Sequence, residues 1–120
     1  MVIVLCELKV INKDGGKEQK VGEDIVYAKV SDDYVLLRDI LGGVTKIHGA
    51  IIEEVDINSE ILKLASSPII IKINKFLDAC RRCESEKVYD EKVEALWEEI
   101  KASGDDFVRT LWKKYGRKED

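Results

Sequence analysis

One proline and one histidine are all that 120 residues contain of either, and aromatic side chains make up only 7%. With His48 alone, no Ser/His/Asp or Cys/His arrangement has support, and paired acids such as Glu53-Glu54 and Asp32-Asp33 lack an accompanying base or nucleophile. The expectation is a protein that is not an enzyme. Three cysteines is an odd count, which leaves thiols free for metal or redox work in a reducing compartment. No apolar run approaches the ~20 residues that span a bilayer. The N-terminus has neither the charged n-region nor the small-residue cleavage site of a signal peptide, so a cytoplasmic protein is expected. Positive charge is not in excess: 20 Lys and Arg stand against 24 Asp and Glu. Residues 1–66 carry eight basic against twelve acidic side chains, and residues 67–120 carry twelve of each. The acidic first half is a poor footprint for nucleic acid, because affinity for phosphate rests on clustered Lys and Arg.

What is present divides into two hydrophobic periods. The first half is a run of short β-branched segments broken at intervals of roughly 8–12 residues by turn chemistry. "VIVLCELKVI" ends at "NKDGG", where Gly15 and Gly16 supply the positive φ of a tight hairpin. "KEQKV", "DIVYAKV", "YVLLRDI", "VTKIHG", "AIIEEVDI" and "ILKLA" follow, separated by Gly22, "SDD", "LGG" and "NSE". This spacing predicts a small antiparallel β-barrel of SH3 or OB size over residues 1–66, since closure leaves few exposed edges. At Ser66-Ser67-Pro68 the period changes to helical, with an N-cap and a first-turn proline. Ile69, Ile70, Ile73, Phe76, Leu77, Cys80 and Cys83 share one face. Asp90 is placed to cap a second helix with Val93, Leu96, Trp97 and Ile100 inward. "SGDD" reads as a break at Gly104, followed by a third helix carrying Phe107, Val108, Leu111, Trp112 and Tyr115. The fold class expected is α+β, a barrel domain over 1–66 and a helical extension of about three helices over 67–120.

The order of features in the first half carries a resemblance. "LCELKV", "KDGG", "VGEDIVYAKV", "YVLLRDILGG" and "KIHGAIIEEVDINSEILKL" together resemble the CooT family, small nickel-binding accessory proteins of carbon monoxide dehydrogenase maturation. The same family also carries the label of predicted RNA-binding protein. Its members typically begin Met-Cys, pass a Gly-Gly hairpin, and close with a glycine, an isoleucine and a Val-Asp step before a last strand. Here these are Gly49, Ile52, Val55 and Asp56, and the resemblance covers about residues 5–65. It implies a Ni(II) ligand at Cys6, paired with its copy across a homodimer interface, and a metalloenzyme client. Thiolates suit this chemistry, being strong soft ligands that with backbone nitrogens build the planar environment Ni(II) accepts. One such thiolate per chain cannot complete four-coordination, so a two-fold axis near Cys6 would supply the second. The sequence departs from the pattern in "MVIV", which precedes Leu5-Cys6; initiation at the Leu5 codon would restore Met-Cys. The helical half is a second departure, a candidate docking arm or dimer-forming element.

Three features compete with that reading. Packing explains Cys6 equally well, as free cysteine is among the most buried residue types. Cys80 and Cys83 form a C-x-x-C near a helix end, and with His48 and Cys6 they are a candidate secondary zinc site, though the second pair such sites use is missing. Core packing also accounts for Cys80 and Cys83, and a solvated turn for His48. Finally, Arg109, Lys113, Lys114 and Arg117 lie beside Trp112 and Tyr115, the mixture that grips a single-stranded backbone and stacks its bases. An RNA-binding module using the barrel and this helix is the alternative function. The same residues are explained by cations complementing a helix dipole and by Leu111, Trp112 and Tyr115 packing the helix.

Overall fold

The computed structural model describes residues 7–31 and 33–116. Six strands come first, β1 (Leu8–Asp14), β2 (Lys17–Val30), β3 (Tyr34–Asp39), β4 (Val44–His48), β5 (Ala50–Asp56) and β6 (Ile61–Ser66). Two helices follow, α1 (Pro68–Glu86) and α2 (Lys92–Leu111), and Trp112–Gly116 ends α2 in a turn of π-helix. The chain is divided into two compact units, Met1–Ile71 and Lys72–Asp120. The class is α+β, as the two hydrophobic periods predict.

In the first unit the strands form one sheet in the order β4-β3-β2-β1-β6-β5. Neighbours are antiparallel except β1 and β6, which run parallel from Lys9 opposite Ile61 to Asp14 opposite Ser66. The expectation of a closed antiparallel barrel is therefore corrected on two counts: the sheet is mixed, and it is open. β4 bonds only to β3 and β5 only to β6, so no ladder joins the two edges. These edges are nevertheless consecutive in the chain, with Gly49 alone between His48 and Ala50. A single residue reaches only a few ångströms, so the sheet must curl until opposite edges meet at that corner. Gly49 serves there with φ +64, its N–H donating to the Asp33 carbonyl (2.8 Å) and its carbonyl accepting from Ser67 (2.8 Å).

The curl encloses the core. Val10, Val35, Leu37, Leu62 and Leu64 have less than 2% of their surface exposed, and Ile25 and Ala50 join them. They alternate along β1, β3 and β6, the period of strands with one buried face. β2 runs unbroken for 14 residues, so Gly22 is no interruption; a Cβ there would lie 3.2 Å from Ile25. The strand instead bends at register shifts facing β1 and β3. Among the described residues one polar side chain sits in this interior: Asn12, 9% exposed, donates from Nδ2 to Ser66 Oγ (3.0 Å), while its Oδ1 has no partner among them.

In the second unit Lys72 Nζ donates to Ser103 Oγ (2.7 Å), and the Phe76 and Trp97 rings meet with centroids 5.4 Å apart. Residue numbers rise on one helix as they fall on the other, so α1 and α2 pack antiparallel. Asp90 performs its expected capping, its carboxylate accepting from the Lys92 N–H at 3.0 Å. The break at Gly104 is not there, and two helices replace the expected three. Gly104 takes helical backbone inside α2, because the apolar face from Trp97 and Ile100 to Phe107 and Leu111 stays in phase across it. A glycine costs a helix interior only about 1 kcal/mol. No helix among the described residues is long and apolar enough to cross a membrane.

Candidate metal-binding end of the sheet

Cys6 lies outside the described residues, as does Arg117; the described chain begins one residue later, at Glu7. Glu7 lines a cleft of about 240 Å³ with Leu8, Lys9, Glu23, Asp24, Ser59, Glu60 and Ile61. Its walls are the start of β1, the middle of β2 and the turn before β6. Asp24 and Glu60 have left-handed backbone, φ 55 and 57, which costs a non-glycine residue on the order of 1 kcal/mol. Hydrogen bonds hold both in place: Lys9 N–H donates to the Glu60 carbonyl (2.9 Å) and Ile40 N–H to the Asp24 carbonyl (3.0 Å). Four acidic residues, Glu7, Glu23, Asp24 and Glu60, thus line the cleft, with Lys9 the one basic residue among its described lining. Lys20 pairs with Glu23 and its hydrogen bond holds that carboxyl below the usual range. Composition gave no sign of this cluster, because Glu7, Glu23, Asp24 and Glu60 are brought together by the β1–β2 register and by two turn conformations that glycine usually supplies.

Among the described residues no three His, Cys, Asp or Glu side chains come together as a set that could hold a metal. The carboxylates therefore make a negative mouth and no coordination shell of their own. His48 is the exposed last residue of β4, edge-on to Tyr34 with ring centroids 5.6 Å apart. Cys80 and Cys83 are free thiols, half-buried on the last turns of α1. Near α2's end, Arg109 pairs with Asp106 at 3.0 Å. Leu111, Trp112 and Tyr115 are 56%, 61% and 70% exposed, so they do not pack the helix as the sequence suggested.

The model of the family described as CO dehydrogenase accessory protein CooT matches residues 5–64. The chain belongs to the CooT family. The match covers β1 to β5 and runs into β6 as far as Leu64, so the helical unit lies outside the family pattern. Cys6 is the second residue of the match. Among solved structures, one identified as a candidate CooT from Carboxydothermus hydrogenoformans is similar at 22% identity and a TM-score of 0.47. The similarity covers 52% of this chain and 98% of that one. No curated protein matches the chain.

Proposed function

We propose that this CooT-family protein is an accessory factor in carbon monoxide dehydrogenase maturation that carries Ni(II) as cargo on Cys6. The observation that carries this reading is the place of Cys6 in the sequence, second in the family match and next in the chain to Glu7, which lines the acidic cleft. A thiolate supplies the soft donor that Ni(II) prefers, and acidic residues lining the cleft at Glu7 favour cations there. One Cys6 thiolate does not by itself complete a four-coordinate site, so the proposed carrier is a homodimer in which two Cys6 thiolates share one ion.

Titration of the full chain with Ni(II) tests this. One ion per two chains is expected, with the charge-transfer absorption of thiolate-bound nickel. Cys6→Ala should abolish both in one step, whereas Cys80→Ala with Cys83→Ala should leave them unchanged. Binding requires deprotonated thiols, so affinity should fall as the pH drops below neutrality. Nickel uptake that survives Cys6→Ala would refute the assignment.

A further inference from the structure

Two thiols on α1 are left unused by the nickel reading. Cys80 and Cys83 are both free and both half-buried, and the helix runs unbroken from Pro68 through both of them to Glu86. Its geometry therefore fixes their relation. Three residues advance the chain by about 300° and about 4.5 Å, which leaves the two Cβ atoms on one side of the helix about 5–6 Å apart. The helix is closed just beyond them: Lys87 takes left-handed backbone, φ 57, and the Val88 N–H donates to the Cys83 carbonyl at 3.3 Å. Neither thiol is sealed in the interior. Cys83 lines two surface clefts of about 430 and 450 Å³, with Val88 and Tyr89 common to both.

That separation selects the chemistry. A disulfide needs Cβ atoms about 3.5–4.5 Å apart, closer than an intact helix brings them. Two thiolates bridged by one ion stand up to about 4.6 Å apart, twice a metal–sulfur bond of about 2.3 Å, which side chains leaning toward each other span without bending the backbone. The donor count then selects the ion. A structural zinc site takes four ligands, and a planar Ni(II) site fills its shell with backbone nitrogens. Among the described residues no third His, Cys, Asp or Glu joins the pair as a set that could hold a metal. The amide nitrogens around Cys80 and Cys83 are committed to the hydrogen bonds of the helix itself. What fits is an ion satisfied by two soft donors, and among the first-row metals that thiolates select this is Cu(I).

We propose that Cys80 and Cys83 form a dithiolate site for one soft monovalent ion, Cu(I), held linearly between the two sulfurs. Each S–H gives its proton to solvent and each sulfur donates an electron pair to the ion, so two copper–sulfur bonds form and copper keeps its oxidation state. The site lies in the helical unit, which the family match does not reach, and it needs neither Cys6 nor a second chain.

Anaerobic titration with Cu(I), buffered by a chromogenic Cu(I) chelator, tests the proposal. It is made on the full chain carrying Cys6→Ala, so that this reading and the nickel reading fail separately. One Cu(I) per chain is expected, with X-ray absorption showing two sulfur neighbours and no nitrogen or oxygen shell. In the same background, Cys80→Ser or Cys83→Ser should weaken binding by about a hundredfold or more, the scale on which a second linked ligand adds to the first. Cys83→Ser combined with Ser85→Cys keeps two thiols but sets them five residues apart, about 140° around the helix. It should bind no better than a chain with one cysteine. Far-UV circular dichroism checks that each variant keeps its helices, and should one unfold, the stoichiometry and sulfur shell of the Cys6→Ala chain decide the matter. Affinity that the relocated thiol leaves unchanged, one ion shared by two chains, or a nitrogen or oxygen shell overturns the proposal.

Discussion

Gly49 joins the two edges of the sheet, and its surroundings leave little room for a side chain. Its φ of +64 is left-handed, and an added Cβ would sit 3.0 Å from the Ser67 carbonyl oxygen, the atom that accepts the Ile70 N–H at the start of α1. Alanine here meets two penalties, the left-handed backbone cost of ~1–2 kcal/mol and the crowding of a backbone acceptor. Gly15 separates the two, because it has φ +60 in the β1–β2 turn with nothing within 4 Å of its Cβ position. In urea unfolding, Gly15→Ala is expected to cost only the backbone penalty, and Gly49→Ala to cost more. Equal losses would show that the Ser67 contact is not felt. Both glycines stand out in the sequence, but only the two-glycine hairpin at Gly15 announces its purpose. Gly49 owes its importance to strands at opposite edges of the sheet, a non-local fact no short stretch records. The same holds for Asp24 and Glu60, which occupy left-handed positions that local sequence rules assign to glycine or asparagine.

At the scale of elements, the switch from strand to helix was legible because three signals coincide within three residues. β6 ends at Ser66 and α1 starts at Pro68, where the period of two gives way to one near 3.6. Strand pairing was not legible. Parallel β1–β6 pairing and the open edges depend on which distant segments meet, and alternation within a strand is compatible with either direction. Gly104 was misread for a local reason: Ser-Gly-Asp-Asp contains a helix stop and two caps, and only the continuing phase of the apolar face argues against them. This error yields a test. Gly104 has helical backbone and open space where a Cβ would be, so Gly104→Ala should stabilise α2 by about 0.5–1 kcal/mol. Far-UV circular dichroism during urea unfolding measures it. Destabilisation would mean that the chain does turn at Gly104 or that a neighbour closes on it.

For the molecule as a whole, the two units differ in how much each buries. The sheet unit holds five side chains with under 2% exposure, spread over β1, β3 and β6. The helical unit has Ala79 as its one buried residue among those described. Stability follows burial, so opening free energies should be unequal along one chain. Native-state hydrogen exchange is expected to find the slowest amides on β1 and β6, interior strands with a neighbour on each side that carry buried core side chains. Residues 107–116 should exchange fastest of the helical amides, as they end a helix whose apolar face is uncovered there. Protection at 107–116 equal to that of β1 in dilute protein would contradict the burial reading, since such exposed side chains leave the helix end little to lose on opening.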